Sequence, residues 1–189
     1  MTQYAPSLMF EHALNAAKGW FQPTALDFQA KLSANVTFNP PAGRVAHLNA
    51  AGEFEMGMIA RCMPLFLWNG INDFDVSNPG MTAGGHFVQQ AIAPTGKMQS
   101  LVATGGYELE STEFDSENVY APNDLLTATA SNSNADTGGV LTNAGTGSHG
   151  NVKQFVDPCC GIVSRGSYNN EHGVAVVAFW PIVLPGTYV

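Results

Sequence analysis

The chain has 189 residues, of which 45% are hydrophobic and only 12% are charged, with a formal net charge of −8. This length allows one domain with a core of its own or one domain with an appendage, and we favour the second. Because the 7 basic residues are scattered singly, the chain lacks the clustered cations that nucleic acids and anionic membranes attract, and neither is an expected partner. A surface so poor in charge is typical of a protein whose surface is covered by other copies of itself or by a larger assembly. A monomer with a surface of Asn, Ser, Thr and Gly would also explain it.

The sequence has no membrane-spanning or signal-peptide pattern and only three cysteines. No apolar stretch approaches the roughly 20 residues that span a bilayer, and the N-terminus lacks a signal-peptide pattern, so we expect a soluble protein. Cys62, Cys159 and Cys160 are too few for a disulfide framework, and their spacing matches no zinc site. We expect reduced, mostly buried thiols, with a bridge between Cys159 and Cys160 as the alternative.

The first predicted element is an amphipathic helix from Ser7 to Gly19. Met9, Phe10, Ala13, Leu14 and Ala17 recur at spacings of three and four, Ser7 is a suitable N-cap and Gly19 a suitable end. Residues 20–41, with Pro23 and the pair Pro40-Pro41, are expected to form an extended arm. The predicted organisation is therefore an N-terminal helix and arm over 1–41 and a β-rich body over 42–189. The arm reaches a neighbouring subunit or partner, or it lies across its own domain.

The body reads as short strands separated by turn residues. The predicted strands lie in a hairpin over Gly43–Gly57 and in the segments Met63–Trp68, Met98–Thr104, Tyr107–Glu110, Asp124–Thr129 and Gly161–Arg165. The last strand lies in Gly173–Tyr188, where a continuous apolar run indicates burial on both faces, followed by an edge segment after Pro181. Asn69–Gly85 is expected to be a loop, and Ser131–Gly150 an exposed hairpin or mobile loop. Strands at this spacing predict an all-β fold, a compact antiparallel barrel or sandwich of the jelly-roll kind.

Two short motifs suggest enzymes, but both lack the required context. Gly145–Gly150 matches the glycine fingerprint of dinucleotide-binding proteins, yet no helix pattern follows it in the polar loop. Asp136-Thr-Gly138 matches the aspartic-protease tripeptide, but only one copy is present and no apolar strand precedes it. We expect both motifs to be loop segments.

The densest acidic cluster comprises Glu108, Glu110, Glu113, Asp115 and Glu117. Paired carboxylates can hydrolyse sugars or bind calcium, but no calcium-loop spacing occurs here. Glu108 and Glu110 flank Leu109 at strand spacing, so we expect a solvated outer face. The five histidines lie far apart and form no metal-binding pair. We therefore expect no enzyme, no cofactor and no metal.

Several phrases of the body resemble virion structural proteins of tailed bacteriophages, most closely head decoration, or cement, proteins. The phrases are Gly43-Arg-Val-Ala-His-Leu-Asn-Ala-Ala-Gly-Glu-Phe54, Met63-Pro-Leu-Phe-Leu-Trp68 with Asp75-Val76, Ala103-Thr-Gly-Gly-Tyr-Glu-Leu-Glu-Ser-Thr-Glu-Phe114, Tyr120-Ala-Pro-Asn-Asp-Leu-Leu-Thr-Ala128, Gly161-Ile-Val-Ser-Arg-Gly166 and Phe179-Trp-Pro-Ile-Val-Leu-Pro-Gly186. The resemblance covers about Gly43 to Tyr188 and carries no catalytic signature.

The resemblance implies a β-rich protein on the outer surface of a phage capsid, bound to the major capsid protein, commonly as a homotrimer, and reinforcing the shell. Met9, Phe10, Leu14, Trp20 and Phe21 are the candidate capsid or subunit interface residues, because buried aromatic and apolar side chains dominate interface energies. One alternative is a carbohydrate-binding module of a phage virion that stacks sugars on Trp68, Tyr107 and Tyr120. The other is a hydrolase that uses the acidic cluster.

Overall fold

The computed structural model describes residues 14–18, 27–67, 98–101, 108–145, 150–152, 157–170 and 173–184. These residues form strands and contain no helix. The strands are β1 Leu14–Lys18, β2 Asp27–Ala30, β3 Val45–Leu48, β4 Phe54–Met56, β5 Leu65–Leu67, β6 Met98–Leu101, β7 Glu108–Ser111, β8 Leu125–Ala128, β9 Leu141–Thr142, β10 Cys159–Asn169 and β11 Ala175–Leu184.

The strands form two antiparallel sheets. Sheet A has the order β1-β7-β11-β10-β8-β9, and sheet B has the order β2-β6-β5-β3-β4. Each strand pairs with its neighbours in antiparallel register. The predicted all-β class and the predicted hairpin of β3 and β4 are confirmed.

The predicted N-terminal helix is wrong where the structure describes it. Leu14–Lys18 is β1, which pairs with β7, so that Leu14 lies opposite Ser111 and Ala16 opposite Leu109. A helix of about three turns is marginal in water, whereas the open edge of β7 offers hydrogen bonds to an extended segment. Residues 7–13 of the predicted helix lie outside the described residues.

The described strands of the predicted helix and arm, residues 1–41, lie along the body of the same chain. β1 forms one edge of sheet A, and β2 forms one edge of sheet B through its pairing with β6. Of the two roles predicted for the arm, this arrangement corresponds to the one in which it lies across its own domain.

A shared core holds the sheets together. The Phe66 ring of β5 stacks on the Phe179 ring of β11, with a centroid separation of 5.6 Å. The buried side chains around this pair come from both sheets and from the loops between their strands: Val45, Met58, Leu109, Tyr120, Leu126, Ala128, Leu141, Cys160, Val163 and Val177. Contacts of this kind between inward-facing side chains are how two sheets bury their apolar faces.

Sheet B is buried on its other face as well. A second cluster there joins Ala46, Phe54, Met56, Leu65 and Leu67 to Ala30 of β2 and to Val36 of the segment that follows it. Val45 and Ala46 are consecutive and both completely buried. Burial on both faces explains why β3 and β5 lack the alternation of apolar and polar residues that marks a half-exposed strand.

β11 confirms the predicted last strand but continues further than expected. Val176 to Phe179 are buried, and the strand lies between β7 and β10 in the middle of sheet A. Pro181 lies inside this central strand and not in an edge segment. The register slips by one residue beside it, from Gly161 opposite Pro181 to Cys159 opposite Leu184. Such a bulge is one of the few places where a sheet tolerates proline, which has no N–H to donate.

The connection from β8 to β9 forms the predicted exposed hairpin. Residues 133–137 are exposed, whereas Val140 and Leu141 are buried and Leu141 pairs with Ala128. The two apolar residues of this polar segment therefore anchor it to the core.

Candidate functional site

The main irregularity of sheet A is a bulge in β10. Val163 lies opposite Phe179, but the next pair joins Gly166 to Ala178, so Ser164 and Arg165 are two extra residues on the β10 side. Gly166 ends the bulge with φ of 81°, and a Cβ atom there would lie 2.7 Å from the carbonyl oxygen of Tyr120. Only glycine fits both conditions. Bulges redirect side chains, and here they redirect Ser164 and Arg165.

The bulge gathers five polar side chains, which we name the bulge cluster: Glu108, Glu110, Ser164, Arg165 and Tyr168. Arg165 donates from Nε to Glu108 Oε1 at 2.9 Å and from Nη2 to Glu110 Oε1 at 3.0 Å. The Ser164 hydroxyl also donates to Glu108 Oε1, and the Tyr168 hydroxyl donates to Glu110 Oε1. The guanidinium carbon lies 4.8 Å from the centroid of the Tyr168 ring.

The cluster combines deeply buried carboxylates with a partly exposed guanidinium. Glu108 is 0% exposed and Glu110 is 4% exposed, while the Arg165 side chain is 38% exposed. Lys18 of β1 lies opposite Glu108 in register. Oε2 of Glu110 is buried and accepts no hydrogen bond from the residues that the structure describes. Arg165 is the cation that both carboxylates share.

The same surroundings shift the pKa values of the donors. Burial works against the charged form of Arg165, but the carboxylate of Glu108, with Tyr168 and Glu110, outweighs it and raises the Arg165 pKa. Burial, the hydrogen bond to Glu110 and the charge of Glu110 raise the pKa of Tyr168. Both groups therefore keep their protons throughout the physiological range.

The predicted solvated acidic face is wrong for three of its five carboxylates. Glu108, Glu110 and Glu113 are buried, since each meets an arginine that is distant in the sequence. Asp115 is partly exposed and Glu117 is exposed, as expected. No local pattern marks the arginine partners, because they lie 55 to 69 residues away along the chain.

Glu113 belongs to a second ion pair. Its Oε2 accepts from Arg44 Nε at 2.5 Å, and both side chains are buried. Arg44 Nη1 also donates to the carbonyl oxygens of Ala135 at 2.5 Å and Gly138 at 2.9 Å. This arginine therefore connects the segment before β3 to the segment after β7 and to the β8–β9 hairpin.

A cavity of about 390 Å³ adjoins this second pair. Asp115, Glu117 and Asp136 line it together with Arg44 and Glu113. No group of three or more His, Cys, Asp or Glu side chains among the described residues has the geometry of a metal site.

Trp180 lies beside the bulge cluster on the outer face of sheet A. It lies opposite Ile162 of β10, and its side chain is 39% exposed. Because Phe179 pairs with Leu109 in the core, alternation along the strands places Trp180 on the same face as Glu108 and Glu110. In the sequence Trp180 is part of a continuous apolar run, which predicts burial and does not indicate an exposed indole.

Only some of the predicted interface and sugar-stacking residues lie within the part of the chain that the structure describes. Met9, Phe10, Trp20 and Phe21 lie outside the described residues, and Leu14 lies in β1 opposite Ser111. Among the proposed sugar-stacking residues, Trp68 and Tyr107 lie outside the described residues. Tyr120 is only 6% exposed and donates its hydroxyl to the carbonyl oxygens of Asp115 and Leu141, so it belongs to the core and cannot be a stacking platform.

The two short enzyme-like motifs and the histidines have structural roles where the structure describes them. Asp136–Gly138 belongs to the β8–β9 hairpin, and Gly138 N donates to the Asn134 carbonyl. Residues 146–149 of the glycine motif lie outside the described residues, as do four of the five histidines. His47 is 3% exposed, and its Nδ1 lies 2.9 Å from the Gly57 carbonyl oxygen, which is a core role.

The chain matches no protein-family model, no curated protein and no solved structure. In the described part of the chain, no helix has the length and apolar character needed to cross a membrane.

The geometry limits what the bulge cluster can do chemically. A hydrolase that uses Glu108 and Glu110 would need these carboxylates at a surface that substrate can reach, yet both are buried behind Arg165. Their Oε1 atoms already accept two hydrogen bonds each. The arrangement is suited to holding strands in place and to presenting one fixed guanidinium at the surface.

Proposed function

We propose that this chain is a structural virion protein that decorates the outer surface of a phage head, binds the major capsid protein and stabilises the shell. It acts without catalysis, and it assembles with copies of itself, as a homotrimer. The phrase resemblance in the body supports this function, together with the low share of charged residues.

The observation that carries the proposal is that buried ion pairs join distant segments of the body. Arg44 with Glu113, and Arg165 with Glu108 and Glu110, connect segments that are distant in the sequence. Removing either arginine takes a charged partner away from a buried carboxylate, so each pair resists separation of the segments it joins. A body braced in this way suits a protein that must resist outward pressure on a shell.

The finer architecture belongs to the same proposal. Sheets A and B are two separate sheets that pack against each other through one core. This arrangement favours a sandwich of the jelly-roll kind over a closed barrel. Edge strand β1 comes from the segment predicted as a helix, and edge strand β2 comes from the arm. The arm therefore stabilises the body in addition to any part it takes in attachment.

The test is co-sedimentation of the purified protein with undecorated heads of the phage that encodes it, combined with native mass measurement. We expect saturable binding, a trimeric mass and heads that resist heat disruption better when decorated. Absence of binding to those heads, with the protein folded, would refute the proposal.

The interface residues require a truncation that respects the fold. Deletion of residues 1–22 removes β1 and opens the edge of β7, so weaker attachment of that variant would have two explanations. Deletion of residues 1–13 keeps β1 and removes Met9 and Phe10. We expect this shorter deletion to leave the melting temperature nearly unchanged and to weaken head binding, and undiminished binding would exclude Met9 and Phe10 from the interface.

A further inference from the structure

We propose that the loop between β7 and β8 docks onto another protein, one whose surface carries an apolar pocket beside basic side chains. We name its docking residues the Val119 surface: Val119, Ala121, Pro122, Asp115, Glu117 and Asp124. This inference rests on the proposed function, because it takes the shell protein as the partner. It adds a contact made by the β-rich body, separate from any contact that the N-terminal segment makes.

The apolar part of the Val119 surface is open to solvent. Val119 is 87% exposed, the highest value among the exposed large hydrophobic residues in the described part of the chain. Ala121 and Pro122 are exposed beside it, whereas Tyr120 between them is buried and anchors the loop to the core. A single exposed apolar side chain is ordinary in proteins. What distinguishes Val119 is how firmly its loop is held.

Two asparagine side chains hold the backbone and the acidic residues of the loop. Asn143 Nδ2 donates to the Val119 carbonyl oxygen at 2.8 Å and to Asp124 Oδ2 at 3.0 Å. Asn118 Nδ2 donates to Asp115 Oδ2 at 2.7 Å. These bonds connect the apolar and the acidic residues of the surface to each other. A loop fixed in this way loses little conformational entropy when a partner covers it, which favours binding.

The turn that follows is fixed as well. Asp124 N donates to the Ala121 carbonyl oxygen at 3.0 Å, which closes a four-residue turn. Pro122 is its second residue and Asn123, with φ of 76°, is its third, and a type II turn favours these residue types at these positions. Asn123 N also donates to the Val163 carbonyl oxygen of β10. The exposed apolar residues are therefore presented in one arrangement.

The acidic residues of the surface select the charge of the partner. The hydrogen bonds that Asp115 and Asp124 accept come from neutral amide groups. Neither these two residues nor Glu117 forms an ion pair with another described residue. Arg44, which lines the same cavity as Asp115 and Glu117, is already paired with Glu113. The three carboxylates of the Val119 surface therefore attract lysine or arginine side chains of a partner.

A recess that suits such a side chain adjoins the loop. Glu117 and Asp136 line the cavity of about 390 Å³ together with the apolar residues Phe114 and Val140. This lining matches the charged head and the aliphatic stem of a lysine or arginine. Because Glu117 and Val119 are two residues apart, their Cα atoms lie within about 7.6 Å of each other. One partner surface can therefore contact the cavity and Val119 together.

A second copy of this chain is a less suitable partner than a basic protein. The chain has 15 acidic and 7 basic residues, and the basic residues are scattered singly. Contact between two copies would place the carboxylates of the Val119 surface against another acidic surface, and like charges disfavour association. The charge of the loop therefore favours a different protein with a basic surface.

The experiment is quantitative co-sedimentation with undecorated heads of the phage that encodes the chain, at about 0.05 M and about 0.5 M salt. We expect Val119→Asp to weaken binding about tenfold or more and Glu117→Lys to weaken it severalfold. High salt should weaken binding of the unmodified protein more than that of Glu117→Lys.

Met63→Asp and Glu53→Lys are the matched controls. They introduce the same changes of charge at an apolar side chain that is 51% exposed and at a partly exposed acid, both elsewhere on the body. Both controls should bind the heads like the unmodified protein. Because Val119 and Glu117 are exposed, their variants should keep the melting temperature of the unmodified protein, which separates weaker binding from loss of fold.

The contrary outcomes are distinct from one another. If the unmodified protein does not bind the heads, the proposed function fails and this inference fails with it. If the unmodified protein binds and Val119→Asp binds equally well, or the controls lose as much affinity as the test variants, only the docking surface is refuted. A lower native mass for Val119→Asp would mean that the surface joins copies of this chain, and the inference would then be wrong.

Discussion

Arg165 and Glu110 lie on strands that are not neighbours, yet Nη2 of Arg165 is 3.0 Å from Oε1 of Glu110. β11 separates the two strands, so the pair spans two interstrand spacings, about 10 Å. Ala178 of β11 is in register with both Gly166 and Glu110. A small side chain at this position leaves room for the guanidinium to cross the sheet, and the pair thereby ties three strands together.

Replacing Arg165 with Met should destabilise the protein, because Glu108 and Glu110 would remain buried without the guanidinium that they share. We expect a loss of about 2 kcal/mol in the free energy of unfolding, below the ~3–5 kcal/mol typical of fully buried pairs since Arg165 is partly exposed. Urea unfolding measures this loss. Adding Glu108→Gln and Glu110→Gln to the Met variant should restore most of it.

Lys31→Met is the control for removing an exposed cation, and we expect it to change stability by less than about 0.5 kcal/mol. A triple variant less stable than Arg165→Met alone would show that the carboxylates do not depend on the arginine.

Replacing Gly166 with Ala should disrupt the bulge. The residue has φ of 81°, and the new Cβ would lie 2.7 Å from the Tyr120 carbonyl oxygen. We expect a loss of at least about 2 kcal/mol, which thermal or urea unfolding would detect. Gly173→Ala is the matched control, since Gly173 has φ of 77° and open space around its Cβ position. Equal losses for the two variants would mean that the contact with Tyr120 is unimportant.

Replacing Arg44 with Met should cost more than the Arg165 variant, because both members of the Arg44–Glu113 pair are buried. We expect a loss of roughly 3–5 kcal/mol. The β8–β9 hairpin should also become more sensitive to proteolysis, since Arg44 holds the carbonyl groups of Ala135 and Gly138. Asp136→Asn, an exposed change in the same hairpin, serves as the control. A loss below about 1 kcal/mol would contradict the assigned role of the pair.

Glu55 should make stability depend on pH in the acidic range. Hydrogen bonds from Asn35 at 2.9 Å and Asn49 at 3.3 Å hold the pKa of this carboxyl below its ordinary value of 4.5. Because the folded pKa is depressed, the stabilisation is present above the ordinary pKa and is lost as the pH falls through the folded value. We expect the stability advantage over Glu55→Gln to shrink between about pH 6 and pH 3 in urea titrations. A constant difference would exclude Glu55 as its source.

The cysteines should differ in reactivity. Burial and then Asp157 raise the pKa of Cys159 to about 11, and complete burial raises that of Cys160 further. All three cysteines are free thiols, but Cys159 and Cys160 are buried whereas Cys62 is partly exposed. In the native protein an aromatic disulfide reagent should modify Cys62 rapidly and the other two only after unfolding. Cys62→Ser should abolish the rapid phase, and rapid reaction of Cys159 or Cys160 would contradict the burial assigned to them.

The amino-acid sequence by itself determined the class of the fold and most of its strands. The hairpin of β3 and β4 and the buried run of β11 follow from turn residues and from apolar stretches of strand length, which are local properties of the chain. The same kind of reasoning failed for Leu14–Lys18, because its apolar spacing suits a helix while the available edge of β7 selects an extended strand.

The candidate site was decided by the tertiary structure alone. Alternation around Leu109 correctly placed Glu108 and Glu110 on one face of a strand, but it could not reveal that Arg165, more than fifty residues later, would bury that face. A bulge of two residues ending at Gly166 creates this encounter. Spacing along the chain encodes which side of a strand a residue occupies, whereas the partner it meets there depends on strand order and register, and these are set by the packing of the whole molecule.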